Sequence, residues 1–193
     1  MKNLKDMTLQ ELWRLFPIIL KDHNPEYETW YENEKTAICL LLAGFNIYRI
    51  SHIGSTAVKG LIAKPIVDIL LELNGGYDSE KLIKMLQNEG WLLMAKNAAD
   101  STLDLNKGYT PNGFAEKVFH LHIKPTGDWG ELYFRDYLKC HAEAAKRYET
   151  LKSGLKERFE FDRDAYTNAK TDFIQKCTLA ARKEFLGRYT PKI

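Results

Sequence analysis

Two short apolar segments joined by a glycine-containing connection constrain the fold more than any other feature of the chain. Residues 47–53, IYRISHI, alternate in polarity and are rich in β-branched side chains, which predicts a β-strand. Residues 66–73, IVDILLEL, are nearly all apolar and end at an NGG turn, which predicts a second strand. Residues 54–65 contain glycines and a proline, and predict a turn, a short helical stretch and a loop. We therefore expect a sheet whose first two strands flank a Gly–Ser turn.

Helices are predicted before this strand pair. Thr8, with Glu11 three residues later, has the pattern of a capping box at the start of a first helix. Asn24 and Pro25 have the pattern of an N-cap and a first-turn proline, and the second helix is predicted to extend to Gly44. Its aromatic residues recur at helical spacing, so we expect them to lie in the core.

The remaining elements complete an α+β pattern. They comprise a helix from Asp78 or Ser79, strands at 91–95, around 103–109 and at 117–124, and helices from about residue 129 onwards, the last of them covering 164–187. This order predicts an α+β fold in which a sheet is flanked by helices, with long helices closing the C-terminus. The length predicts a single domain over 1–193, with an α/β core at about 1–128 and a helical region at about 129–193.

Composition excludes several classes of protein. The three cysteines, Cys39, Cys140 and Cys177, are odd in number and widely spaced, which favours a reducing compartment over a disulfide framework. The longest apolar runs, at 37–43 and 66–71, are far too short to span a bilayer, and the charged N-terminus lacks an apolar signal core. We therefore expect a cytoplasmic protein without a membrane segment.

Charge is unevenly distributed along the chain. The formal net charge is only +2, and no concentrated basic stripe is present, so nucleic-acid binding is not expected. Basic residues outnumber acidic ones from about residue 130 onwards. A basic helical region can attract a phosphate-bearing ligand, although solvated helices of mixed charge explain the same bias.

The Gly–Ser turn between the two strands is the first candidate for chemistry. A turn at Gly54 and Ser55 that leads into a helical segment presents backbone N–H groups and a hydroxyl to an anion. Lys64 can neutralise that anion or pair with Asp68, which lies in the next strand. An ionised carboxylate in so apolar a strand is costly without a partner, so Asp68 is a candidate metal ligand and catalytic residue.

This pattern resembles the nucleotidyltransferase superfamily, in which the turn holds a triphosphate and strand carboxylates hold Mg²⁺. The expected second carboxylate, two residues after Asp68, is replaced by Leu70. Glu72 returns an acid to the same face, but four residues along a strand span about 13 Å. Two ligands of one Mg²⁺ lie within roughly 4 Å of each other. Asp68 and Glu72 therefore cannot share an ion, and Glu72 is predicted to lie on the surface.

The strand at 117–124 offers another way to complete the site. His120 and His122 point to one face, and their Cα atoms are predicted to be about 6.6 Å apart. If this strand neighbours that of Asp68, the three side chains can form a catalytic metal site, and such a ligand set favours a transition metal over Mg²⁺. His52 is a further candidate, and any of these histidines can instead act as a general base, contact phosphate or fill a structural position.

The helical region supplies further candidates for phosphate contact. Arg135 is the best of them, because a guanidinium suits bidentate contact, although a pair with Asp136 or a clamp from helix to sheet explains it equally. Weaker candidates, for which plain helix surface is the preferred prediction, are Lys139, Tyr148, Lys152 and Lys170.

Several motifs together identify a family. The segment HIGSTAVKGLIAKPIVDIL, followed by KGY, KVFHLHI, LYFRDYL, RYETLK and DRDAYTNAKTDFI in that order, resembles the GrpB family of bacterial proteins over nearly the whole chain. The resemblance implies a nucleotidyltransferase-like mixed β-sheet flanked by helices. The activity of the family is not established, and some relatives are fused to a dephospho-CoA kinase.

Three hypotheses for function follow. The first is a nucleotidyltransferase-like enzyme that uses a divalent metal, Mg²⁺ or a transition metal, and a small phosphate-bearing ligand such as a nucleotide. The second is a non-catalytic module that binds a nucleotide or a CoA-like ligand. The third is a metal-dependent hydrolase built on Asp68, His120 and His122.

Overall fold

The computed structural model describes residues 2–192, and its centre is one five-stranded mixed sheet. The strands are β1 (Ile47–Ile53), β2 (Val67–Leu73), β3 (Leu92–Asn97), β4 (Thr102–Thr110) and β5 (Gly113–Pro125). Their order is β1-β2-β5-β4-β3. The central strands β2 and β5 are parallel, and every other neighbouring pair is antiparallel. β5 begins four residues earlier than predicted, because it forms a hairpin with β4.

Seven α-helices surround the sheet within the described residues. They are α1 (Leu9–Leu15), α2 (Glu26–Leu41), α3 (Ser79–Asn88), α4 (Gly130–Cys140), α5 (Ala142–Phe159), α6 (Arg163–Asn168) and α7 (Thr171–Glu184). The capping box of Thr8 and Glu11 is confirmed, and Asp78 caps α3 through its side chain. The single helix predicted over 164–187 is wrong, because α6 ends after Thr167 and Asn168, residues of low helix propensity, and α7 starts anew. The α+β prediction is confirmed.

Strand alternation gives the sheet two different faces. Val67, Ile69 and Leu71 of β2 point toward α2 and α3, where the largest apolar cluster of the protein lies. The side chains of Asp68, Leu70 and Glu72 therefore point to the opposite face. There Leu70 packs with Ile53 and with Leu132 of α4. Asp68, at the start of the strand, remains beyond the reach of this apolar contact and is partly exposed.

The C-terminal helices pack against the loop that follows the Gly–Ser turn. Val58 and Leu61 of this loop share an apolar cluster with Phe134 of α4 and Tyr148 of α5. The Tyr148 ring lies 5.2 Å from that of Phe134 in edge-to-face geometry, and also stacks on Phe173 of α7. This packing brings the side chains of α5 to the Gly–Ser turn.

Glu72 lies in the interior, so its predicted surface position is wrong. Its carboxylate is 0% exposed and accepts two hydrogen bonds from Arg49 of β1, at 2.6 Å from Nε and 2.9 Å from a terminal nitrogen. The backbone N–H of Gly127 donates a third. Because β1 pairs with β2 and places Arg49 opposite Glu72, the strand end is enclosed rather than solvated.

No helix among residues 2–192 has the length and apolar character needed to cross a bilayer.

Candidate functional site

Asp68, His120 and His122 meet on the open face of the sheet. The parallel pairing of β2 with β5 makes the two strands neighbours and places His120 directly opposite Asp68. The Asp68 carboxylate oxygen Oδ1 lies 3.0 Å from His120 Nδ1 and 3.9 Å from His122 Nε2. One potential ligand atom from each residue lies within 4.8 Å of the other two. All three side chains are partly exposed, so a ligand can reach them.

Two further residues orient the histidines, a role that the sequence analysis predicted for neither. Asp104 of β4 lies 2.7 Å from His122 Nδ1, and the Tyr109 hydroxyl lies 2.8 Å from His120 Nε2. Each imidazole therefore has one nitrogen toward Asp68 and the other held by an oxygen. The alternation of Asp104 with buried Leu103 was visible in the sequence, but the pairing of β4 with β5 was not.

Hydrogen bonding determines the charge of this cluster. Burial raises the pKa of the Asp68 carboxyl, but the hydrogen bond with His120 and the proximity of His122 outweigh it and hold that pKa well below its ordinary value. Burial lowers the pKa of His122, but the hydrogen bond with Asp104 and the nearby Asp68 carboxylate outweigh it and raise that pKa to about 9. Burial lowers the pKa of His120 despite the neighbouring Asp68. The histidines therefore favour the ionised form of the Asp68 carboxylate.

Gly54 is in contact with Asp68. Its φ of +69° and ψ of −170° belong to a region that essentially only glycine adopts. A β-carbon at this position would lie 2.2 Å from Asp68 Oδ2. Glycine is therefore required both by the backbone and by the carboxylate that packs against it. The Gly54–Ser55 turn and the Asp68 cluster therefore form one continuous site.

Lys152 reaches this turn from α5. Its Nζ lies 3.2 Å from Ser55 Oγ and also donates to the carbonyl of Ile62. The surface positions predicted for Lys152 and Tyr148 are wrong, because these side chains are only 2% and 4% exposed. Burial, with Lys170 nearby, lowers the pKa of Lys152 to about 7. The sequence contained no signal for this placement, because it depends on how α5 packs against the loop after the turn.

Lys64 does not act as the partner of Asp68, whose side-chain hydrogen bond is with His120. Its ammonium instead lies over the ring of Tyr166, 5.9 Å from the centroid. Burial, with Arg163 and Lys170 nearby, lowers the pKa of Lys64 to about 7. The ammonium of Lys64 therefore lies near other cations and forms no ion pair with a carboxylate of residues 2–192.

Arg135 and His52 make contacts within the protein. The guanidinium of Arg135 donates to the carbonyl of His52, to the Tyr189 hydroxyl and to Asp136. Arg135 thus connects α4 to β1, which is one of the alternatives given in the sequence analysis. The His52 ring stacks on Tyr31 of α2, and thus lies on the face opposite Asp68. Burial lowers the pKa of His52 to about 4.

The donor set of the cluster fits a divalent transition metal. Asp68 Oδ1, His120 Nδ1 and His122 Nε2 can converge on one ion, since ligands at about 2.1 Å from zinc lie roughly 3 Å apart. Metal-bound histidines usually donate their other ring N–H to an oxygen, and Asp104 and Tyr109 stand at those positions. Two imidazoles and one carboxylate suit zinc or a similar ion better than Mg²⁺.

The fold has a counterpart among solved structures. It resembles a crystal structure of the Cid1 poly(U) polymerase with bound Mg and 3′-dATP, with a TM-score of 0.52 and 12% identity over 83% of this chain and 51% of that one. The architecture is thus nucleotidyltransferase-like. The GrpB protein family matches residues 17–179, and the chain belongs to that family.

Individual relatives agree with this membership. The crystal structure of the conserved protein GrpB from Enterococcus faecalis superposes with a TM-score of 0.76 at 28% identity, over 86% of this chain and 99% of that one. The glutamate-rich protein GrpB of Alkalihalophilus pseudofirmus is 32% identical over 81% of this chain and 91% of its own length. A UPF0157 protein of Pseudomonas aeruginosa is 36% identical over 74% of this chain, and the match spans 58% of that relative's length.

Proposed function

We propose that this protein transfers a phosphorus-containing group from a nucleotide-like ligand to a small acceptor, with a divalent metal held by Asp68, His120 and His122. The observation that carries the proposal is the convergence of these side chains beside the Gly54–Ser55 turn. The van der Waals contact between this carboxylate and the turn supports a metal and a phosphate that would bind within reach of one another.

The ligand set supports a catalytic rather than a structural metal. Three protein ligands leave at least one coordination position for water or substrate, which is typical of catalytic zinc sites, whereas structural sites use four. The partial exposure of Asp68 and His122 keeps this position open to solvent. A metal bound there would act as a Lewis acid on phosphoryl oxygens.

The residues of the chain supply positioning and charge. Ser55 offers its hydroxyl to a phosphate, and Lys152, 3.2 Å away, offers a cation. Asp104 and Tyr109 hold the two imidazoles in the orientation that ligation needs. The likeness of the fold to a polymerase structure containing 3′-dATP supports a nucleotide as the ligand.

Metal titration tests this proposal. Wild-type protein purified without chelator and titrated with Zn²⁺, Mn²⁺ and Mg²⁺ should bind one transition-metal ion per chain more tightly than Mg²⁺. His122→Gln should weaken that binding about 100-fold or more, since one of three ligands is lost. His141→Gln, at an exposed histidine that contacts Glu184, is the matched control and should bind normally. Equal binding by both variants would exclude the site.

Turnover is measured on the same proteins. Nucleoside triphosphates labelled at the α- or γ-phosphorus, incubated with the preferred metal and a panel of small acceptors, should give a labelled product with wild type and His141→Gln, but not with Asp68→Asn. A product that forms equally with Asp68→Asn would refute the role of this carboxylate.

A hydrolase is the second candidate, because a ligand set of two histidines and one carboxylate also occurs in hydrolytic zinc enzymes. Omission of the acceptor separates the two reactions. Hydrolysis would release labelled phosphate or nucleotide without any acceptor, whereas transfer would require one.

A non-catalytic binding module is the third candidate. It is favoured by Leu70, which stands where a second strand carboxylate is expected, and by the engagement of Glu72 with Arg49. Metal-dependent nucleotide binding without any product, across the whole acceptor panel, would establish it.

A further inference from the structure

We propose that Lys64, Lys152, Lys170 and Arg163, with the Tyr166 hydroxyl, form a pocket for a triphosphate chain, which we call the polyphosphate pocket. This inference rests on the proposed function and specifies its ligand as a triphosphate rather than a monophosphate. It also assigns most of the anion contacts to the C-terminal helices rather than to the Gly–Ser turn.

The cations come from four separate parts of the chain. Lys64 lies in the loop before β2, Lys152 in α5, Arg163 at the start of α6, and Lys170 immediately before α7. The Tyr166 ring lies among them, with the ammonium groups of Lys170 and Lys64 at 4.5 and 5.9 Å from its centroid. Independent elements thus bring like charges together, and folding alone gives no reason for this arrangement.

These charges lack matching acids. Within residues 2–192, neither Lys64 nor Lys170 forms an ion pair with a carboxylate, and the negative charge that acts on both is that of Asp68, which is already bound by its histidines. Burial and neighbouring cations lower the pKa of Lys64 to about 7, and burial lowers that of Lys170 to about 8. Enclosing unpaired cations costs free energy, which a bound polyanion would offset.

An unpartnered hydroxyl lies in the same place. Tyr166 is 0% exposed, and its hydroxyl has no hydrogen-bond partner among residues 2–192. Buried polar atoms without partners are rare, and each needs an explanation such as a missing ligand or water. A phosphate oxygen would accept the hydrogen bond that this hydroxyl can donate.

The number and spread of the cations select a polyphosphate. A single phosphate carries about two negative charges at neutral pH, which four cationic side chains exceed. The pocket also extends between two contacts of the candidate site. Lys152 touches Ser55 at one end, and at the other Arg163 donates to the Tyr109 hydroxyl at 3.0 Å, which in turn contacts His120. A chain of phosphates, unlike a single phosphate, would contact cations at both ends.

Calorimetry with inorganic phosphate, pyrophosphate and triphosphate tests the proposal on the full chain. At pH 6.5, low salt and with EDTA present, affinity should increase along this series, with triphosphate bound at least about tenfold more tightly than phosphate. Equal affinities for phosphate and triphosphate, or no binding of either, would overturn the proposal.

Two variants locate the binding. Lys170→Gln removes one cation, and Tyr166→Phe removes only the buried hydroxyl, so each should weaken triphosphate binding about tenfold. Lys176→Gln, at an exposed lysine of α7, is the control and should bind like wild type. Both pocket variants should melt at or above the wild-type temperature without ligand, because an unfavourable group is removed. Variants that melt lower yet bind normally would show a structural role and overturn the assignment.

The metal site is tested separately. His122→Gln should retain triphosphate binding in EDTA while losing metal binding. If triphosphate binds as expected and no metal or product is found with wild type, the proposed transfer fails and the polyphosphate pocket stands. If metal and turnover are found but Lys170→Gln and Tyr166→Phe bind triphosphate normally, the pocket fails alone.

Discussion

Gly54 and Asp68 are in such close contact that a β-carbon on residue 54 would lie 2.2 Å from Oδ2 of the carboxylate. This contact couples the Gly–Ser turn to the candidate metal site. A substitution of either residue should therefore affect both the turn and the metal site.

Gly54→Ala should impair metal binding as well as stability. The φ of +69° penalises any side chain, and the added methyl must displace the Asp68 carboxylate. We expect a loss of more than about 2 kcal/mol in the free energy of unfolding and a drop of at least about tenfold in metal affinity.

Gly60→Ala is the matched control for this change. Gly60 has a φ of +80°, but no neighbouring heavy atom of residues 2–192 lies within 4 Å of the position that a β-carbon would occupy. It should lose about 1–2 kcal/mol from backbone strain and bind metal normally. Urea denaturation and metal titration of both variants separate the effects, and equal metal affinities would contradict the role of the Gly54 contact.

Asp104→Asn should lower metal affinity without unfolding the protein. Its carboxylate accepts from His122 Nδ1 at 2.7 Å and is nearly half exposed, so it orients a ligand more than it supports the fold. Loss of such a partner typically costs 10–100-fold in metal affinity, and we expect a decrease of about that size. Asp172→Asn, at an exposed acid of α7, is the control. Unchanged affinity in Asp104→Asn would exclude the orienting role.

Glu72→Ala should destabilise the fold strongly. The change leaves Arg49 without its buried partner, and breaking such a pair costs about 3–5 kcal/mol. Chemical denaturation measures this loss. Metal affinity of the folded fraction should stay within about twofold of wild type, because Glu72 lies about 13 Å along β2 from Asp68. A larger loss of metal affinity would place Glu72 in the metal site.

The stability difference between wild type and Lys152→Met should depend on pH. Because the pKa of Lys152 is lowered to about 7, the unfolded chain binds more protons than the native one between about pH 7 and the ordinary lysine pKa. Wild-type stability therefore rises with pH across this window relative to Lys152→Met. The groups facing this ammonium are Ser55, the Ile62 carbonyl, Tyr148, Glu149 and Lys170.

Denaturation of both proteins at pH 6.5, 8 and 9.5 measures this effect. Relative to wild type, Lys152→Met should be most stable at the lowest pH. A difference that stays constant over the three values would show that Lys152 titrates normally. Triphosphate affinity of wild type should fall over the same range, since neutral lysines attract no anion.

Much of the candidate site was accessible from sequence because strands alternate. Period-two spacing correctly put His120 and His122 on one face, and the apolar surroundings of Asp68 marked it as unusual. The same rule assigned Asp68 and Glu72 to one face, but it contains no information on burial at a strand end. The ion pair of Arg49 with Glu72 depends on β1 lying beside β2. Because the sequence does not show this pairing, the predicted surface position of Glu72 was wrong.

The sequence by itself determined most of the elements and the face to which the strand residues point, because these depend on local backbone geometry. Only the tertiary structure decided that β5 lies between β2 and β4, which brings Asp68 and Asp104 to opposite sides of His122. Only the tertiary structure brought Lys152 and Lys170 to the site, because helix docking is set by long-range apolar packing. The Gly54 turn is thus a local feature, whereas the cations and carboxylates around it are products of the fold.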